Sequence, residues 1–230
     1  MIFPDDQQLL GAIPARHSVR HFTLQKPAQD ILECLRKEVD RINATYGLDF
    51  SVADNEPTAF GSFMAHYGKF SNVRNYIVVN GPDGKEISRR CGYEGERLVL
   101  GLQSMGLSTC WVGMTYRKST DALRKRPGEK VRCVIAFGYG ADNGKEHRIK
   151  PIDKVSNCTG TSPEWFRRGV ECALRAPSAI NQQKYFFNLE DNGRVTVRER
   201  PSLVGYTHID LGIAVCHFNL AAGNGHMIDL

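Results

Sequence analysis

The sequence predicts an α+β protein made of two related units in one chain. Helical stripes and short β-branched runs follow one another from end to end. The run helix, irregular loop, short strand, apolar helix occurs twice. The last helix of each run carries glycines eleven residues apart, Gly95 and Gly106 in the first, Gly212 and Gly223 in the second. The units divide as residues 1–156 and 157–230. A duplicated unit of this kind packs on itself as the two subunits of a homodimer would.

Each element has a local cause. Pro27 opens a helix and Gly47 follows its end, with Ile31, Leu35, Val39 and Ile42 at helical spacing between them. Residues 51–74 look irregular, broken by Pro57, Gly61 and Gly68. Asn75–Val79 is a short buried strand, stopped by the turn Gly81-Pro-Asp-Gly84. Gly95 to Met105 is a mostly apolar helix ended by Gly106, and Val131 to Phe137 is a second strand. In the second unit Ser162 caps a helix with Pro163 at its first position, and that helix breaks at Pro177. Tyr185–Leu189 and Arg194–Arg198 pair through the hairpin turn Asp191-Asn-Gly193. Asp210 to Ala222 is a helix rich in small residues, ended by Gly223.

Composition excludes several classes. The 230 residues are 41% hydrophobic, too apolar for a disordered chain. No apolar run approaches the roughly 20 residues of a membrane-spanning helix. The acidic start, Met1-Ile-Phe-Pro-Asp-Asp, is unlike a secretory signal. Seven cysteines, an odd number without a CxxC pair, read as reduced thiols in a cytoplasmic protein. The net charge of +5 is mild and spread out, without the basic stripe and interleaved aromatics of a nucleic-acid binder.

Most motif matches fail on context. Gly138-Tyr-Gly140 follows a strand, but Lys145–Pro151 has no helical stripe to carry a pyrophosphate. Gly101-Leu-Gln-Ser104 lies within a helix, the wrong place for a nucleophile elbow. His17 and His21 have no acidic or cysteine ligand near them in sequence, so no metal site is expected. Two segments survive. Arg16-His17-Ser18-Val19-Arg20 sets forked and short donors where phosphate oxygens could sit, or is a solvated basic turn. Pro177-Ser178-Ala-Ile-Asn181-Gln-Gln183 lies on a tight connection. It could serve the polar edge of a heterocycle, or satisfy its own backbone.

Together these segments resemble the FMN-dependent nitroreductase family. Arg16–Phe22 looks like that family's opening phosphate motif, and Gly95–Gly113 like its central helix and glycine turn. Leu123–Tyr139 resembles the approach to its last core strand, and Arg148–Val155 its returning basic stretch. Ala176–Gln183 resembles its Pro-Ser-x-x-Asn-x-Gln loop. The order departs from the usual pattern, because that loop comes late, in the second unit. The arrangement is similar to a branch in which one chain imitates the family dimer. It implies one flavin per chain, a pseudo-dimer around a central antiparallel sheet with helices, and a monomer in solution. The family pattern also leads us to expect further chain beyond Leu230.

The resemblance implies site roles residue by residue. Arg16, His17 and Ser18 would meet the FMN phosphate and ribityl, with Arg148 and Lys150 closing the pocket. Arg20 would lie at the carbonyl edge of the ring, and the backbone of Val112 and Gly113 at N5 and O4. Gly113 would leave room for the ring, and Pro177, Ser178, Asn181 and Gln183 would complete the pyrimidine side. Cys110 is the thiol expected nearest the ring, if any is. The implied activity passes hydride from NADH or NADPH through flavin N5 to an electron-poor acceptor, a nitroaromatic or a quinone. No acid–base side chain is required. A non-catalytic flavin- or nucleotide-binding sensor is the alternative, and a structural protein with solvated basic loops a third. Phe60, Phe63, Tyr67 and Phe70 could line the substrate side or the core.

Overall fold

The computed structural model describes residues 1–61, 69–117, 123 and 127–230. Phe63 and Tyr67, together with Gly68 and the basic run Arg124–Arg126, lie outside the described residues. Among the described residues the chain forms five α-helices and six strands: α1 (Asp6–Ala12), α2 (Gln29–Tyr46), β1 (Ser51–Ala53), β2 (Asn75–Val79), α3 (Lys85–Ser104), β3 (Ser108–Val112), β4 (Cys133–Gly138), α4 (Glu164–Leu174), β5 (Tyr185–Leu189), β6 (Val195–Glu199) and α5 (Thr207–Ala222). No helix among them is long and apolar enough to cross a membrane.

Two sheets form. The larger has the order β1-β2-β4-β3, with every neighbouring pair antiparallel. The smaller is the β5–β6 hairpin, joined to the body by a parallel bridge between Ser156 and Phe187. Alternate residues of β2 and β4 serve different cores, as the two-residue period of a strand requires. Ile77, Val79, Cys133, Ile135 and Phe137 join the main core with α2, α3, α4 and α5. Tyr76, Val78, Val134 and Ala136 join a second core with Val19, Phe22, Phe60, Cys110 and Val112. Phe60 and Phe70 belong to this second core, their rings 5.3 Å apart.

Several boundaries differ from the sequence reading. The first apolar helix starts at Lys85 rather than Gly95, because the charged stretch Lys85–Glu94 packs against β6 and the C-terminal segment. The Ser108–Val112 strand, read as part of a turn, pairs residue by residue with Gly138–Val134. Ser51–Ala53, read as irregular, pairs with Val78–Tyr76. Asp5 caps α1, unanticipated, through a reciprocal pair of bonds with Gln8. Pro163 itself precedes the first residue of α4, and the Ser162 hydroxyl accepts the Thr159 N–H instead of capping.

The centre of the molecule is the crossing of α3 and α5. A β-carbon at Gly92 would lie 2.2 Å from the Ile209 carbonyl oxygen, and one at Gly212 1.9 Å from that of Arg89. The two backbones therefore touch. The contact is reciprocal: the glycine of each helix meets the residue three positions before the glycine of the other. Gly92, not Gly95, is the α3 glycine that faces α5. Gly95 instead makes room for the Trp111 ring, 2.5 Å from where its β-carbon would stand.

Candidate functional site

The opening arm runs along the edge of β3. Ser18 bridges Thr109 in parallel, and the Val19 N–H donates to the Thr109 carbonyl at 3.0 Å. This places Ser18 and Arg20 beside the exit of β3, where Val112 leads into the turn Gly113-Met-Thr115. From the opposite side come Pro177–Ile180, after α4, and the first turns of α5 with Ile209, Asp210 and Ile213. Between them lies a cleft of about 340 Å³, within the range of small-molecule sites. Trp111, Phe70, Val204 and Tyr206 complete its largely apolar wall.

Six of the anticipated residues line this cleft: Ser18, Arg20, Val112, Gly113, Pro177 and Ser178. Two segments more than 150 residues apart thus share one opening. The exposed Arg20 guanidinium sits 6.0 Å from the centre of the Phe70 ring. The Ser178 hydroxyl accepts the Gln183 N–H at 3.0 Å, which leaves that hydroxyl as a donor.

The other six, Arg16, His17, Arg148, Lys150, Asn181 and Gln183, are not part of that lining. Asn181 Nδ2 donates to the Arg148 carbonyl at 2.7 Å, and Gln183 Nε2 donates to the same oxygen at 2.8 Å. Lys150 Nζ donates to the carbonyls of Gln182 and Gln183 at 2.6 and 3.1 Å, and its N–H to Gln183 Oε1 at 3.0 Å. These bonds clasp the basic stretch to the late loop. Desolvation lowers the Lys150 ammonium from its ordinary pKa. Half-buried His17 packs beside Gly144.

Arg16 is buried beneath the site. Its Nη2 donates to the Arg175 carbonyl at 3.2 Å, and its Nε lies 3.7 Å from Glu96 Oε1. Glu96, fully buried on α3, accepts from Trp111 Nε1 and binds His217 Nε2, both at 2.8 Å. The opening arm, the cleft wall and both central helices meet at this carboxylate.

Some lining residues had no motif. Asp210 is buried, and desolvation pushes its carboxyl up to about 6 although Ala179 N–H and Gln182 Nε2 both donate to it. A lone carboxylate in an otherwise apolar helix is the sequence signal that could have marked it. Cys133, not Cys110, is the cleft's thiol, and burial raises both above the ordinary value. Tyr206, at a positive φ of 62° before α5, donates its hydroxyl to the Gly113 carbonyl at 2.7 Å. A β-carbon at Gly113 would stand 2.7 Å from that ring, so a side chain here would displace the Tyr206 ring. Tyr206→Phe is expected to lower stability by about 1 kcal/mol. Thermal melting should register this as a loss of roughly 2–4 °C.

Fold and cleft together define an α+β protein whose ligand-sized cleft lies between an opening arm, a strand exit and a late loop. The chain belongs to the nitroreductase family: residues 8–222 match the family described as "Putative TM nitroreductase". It resembles the crystal structure of a "putative nitroreductase" from Thermotoga maritima, with a TM-score of 0.65, 23% identity and coverage of 96% of this chain and 86% of that one. A nitroreductase with bound FMN from Desulfitobacterium hafniense gives a TM-score of 0.52 at 16% identity, covering 66% of this chain and 98% of its own. Another in complex with FMN, from Desulfovibrio desulfuricans, gives 0.50 at 20% identity, covering 64% and 93%. At these identities the likenesses establish the fold. No curated protein matches the chain.

Proposed function

We propose that this protein is an FMN-dependent oxidoreductase. It takes electrons from NADH or NADPH and reduces an electron-poor small molecule such as a nitroaromatic or a quinone. The observation that carries the reading is the shared cleft, with Ser18 and Arg20 on one side and Pro177 and Ser178 on the other. FMN-bound structures of the same fold add to it.

The residues present suit a flat heterocycle with polar edges. Trp111, Ile209 and Ile213 offer apolar walls that exclude water, and Ser18 and Ser178 offer hydroxyl donors. Arg20 offers a charge-assisted donor, typically worth about 1.5–3 kcal/mol. Bound FMN supplies two-electron redox chemistry. The chain's part is to orient the group, keep water out and hold positive charge where negative charge accumulates. Arg20 is the lining cation for that task, and Arg16 supports the arm from below.

The same reading gives two halves, residues 1–156 and 157–230, acting as a pseudo-dimer in a monomeric chain. The reciprocal crossing at Gly92 and Gly212 supports it, since a two-fold contact pairs i with j and j with i. So does the coverage of FMN-bound relatives, nearly complete for them and about two-thirds here. Seven free thiols, six of them buried, accord with the cytoplasm.

Purified protein should show a flavin spectrum or acquire one with FMN, melt higher with FMN present, and lose its visible absorbance under anaerobic NADPH. Flavin binding without bleaching would favour the sensor reading. A colourless protein with no FMN-dependent thermal shift would remove both.

A further inference from the structure

The loop between α4 and β5 holds three non-glycine residues at positive φ: Ile180 at 46°, Asn181 at 58° and Gln183 at 43°. Asparagine tolerates this region, whereas a β-branched residue there is a conformational outlier. Such strain persists only where surrounding contacts over-determine it. Here the contacts are identifiable. Asp210 Oδ1 accepts the Ala179 N–H at 3.0 Å, and Oδ2 accepts Gln182 Nε2 at 2.7 Å. One buried carboxylate thus grips the loop on both sides of Ile180 and Asn181. Gln182 is fixed in turn by donating to the Gly205 carbonyl at 2.9 Å and accepting from the Ser202 hydroxyl.

The strain produces no burial. Ile180 lines the cleft yet stays 73% exposed, more than any other hydrophobic side chain of the lining. A residue forced into an unfavourable conformation and left in water gains nothing for the fold alone. An exposed apolar side chain in the same lining as Trp111 and Ile213 is placed to contact a molecule that enters the cleft.

We propose that Ile180 is the specificity-determining contact for the acceptor, a flat aromatic molecule such as a quinone, and that Asp210 is the positioning residue that holds it there. The inference rests on the oxidoreductase reading above. It adds that the acceptor is gripped by this strained loop rather than by the cofactor pocket alone.

The test uses FMN-loaded protein, NADPH, and two acceptors of different ring area, 1,4-naphthoquinone and 1,4-benzoquinone. Ile180→Gly removes the side chain and accepts the left-handed conformation freely. It should therefore melt higher than wild type while KM for naphthoquinone rises about tenfold. KM for benzoquinone should change less, and the FMN Kd should stay within twofold. Asp210→Asn should reproduce the KM change, and adding Ile180→Gly to it should add nothing further. If Asp210→Asn does not fold, Gln182→Leu breaks the same link. An unchanged naphthoquinone KM, or an FMN Kd that moves as much as KM, would overturn the assignment of Ile180. Additive effects of the two substitutions would overturn the role of Asp210. Failure of the oxidoreductase reading is separate, since wild-type protein would then take up no FMN or resist reduction by NADPH.

Discussion

A methyl group at position 212 is expected to cost the fold about 3 kcal/mol or more, a large effect for so small an addition. The β-carbon of alanine would stand 1.9 Å from the Arg89 carbonyl oxygen and 2.8 Å from the Tyr93 nitrogen. Both are backbone atoms within α3, so neither can swing aside as a flexible side chain would. Relief requires the two helices to part, which opens the main core around Leu98, Leu102, Val215 and Phe218. Gly92→Ala meets the same obstacle from the other side, 2.2 Å from the Ile209 carbonyl. The double variant should cost less than the sum, because helices already parted need not part twice. Gly11→Ala is the control: it has open space and an ordinary backbone, so it should be neutral or stabilising by up to about 1 kcal/mol. Urea midpoints would rank the three, and FMN affinity should fall with Gly212→Ala because Ile209, Asp210 and Ile213 reach the cleft from the same turns. A Gly212→Ala protein as stable as wild type would mean that the helices do not touch in solution.

Local chemistry made some of this architecture readable. The helix ending at Gly47 has its apolar stripe and a glycine at positive φ, and Asn75–Val79 and Tyr185–Leu189 are continuous β-forming runs between turns. What failed had no such local cause. The first half of α3 is charged, and its helicity is supported by partners distant in sequence, such as the Arg89 ion pair with Glu199 at 2.8 Å. β3 carries serine, threonine and cysteine, and is a strand because β4 and the opening arm flank it. The site divides in the same way. Ser18, Arg20 and Ser178 sit in short polar clusters that announce themselves, whereas Asp210 and Tyr206 matter only because α5 crosses α3 where it does. The glycine that meets α5 is Gly92, one helical turn before Gly95, so the eleven-residue spacing does not carry over to the crossing. Spacing within one helix cannot reveal which glycine faces the other helix.

Glu96→Gln should be the costliest change that preserves shape. Glu96 is fully buried: Trp111 Nε1 donates to it and His217 Nε2 meets it, both at 2.8 Å, and the Arg16 guanidinium pairs with it through charge, Nε at 3.7 Å. The other imidazole nitrogen of His217 faces the Cys172 carbonyl at 3.1 Å, so it carries a proton. Glutamine can therefore keep both short bonds, its oxygen accepting from Trp111 and its amide donating to His217. It cannot keep the negative charge. Arg16 is only 3% exposed, and its Nε has no hydrogen-bond partner among the described residues. A guanidinium does not neutralise itself by losing a proton. Removing one partner of a buried ion pair typically costs about 3–5 kcal/mol, or roughly 6–20 °C of melting temperature in a domain of this size. Pairing Glu96→Gln with Arg16→Met removes both charges and should recover most of the loss. The cleft should report the same change through Trp111, whose ring lines it while its N–H bonds the carboxylate. A near-ultraviolet dichroism signal that shifts in the single variant and returns in the double one would tie the buried charge to the cleft wall. If the single variant melts within about 2 °C of wild type, the pair contributes less than about 1 kcal/mol and the arm is held by packing instead.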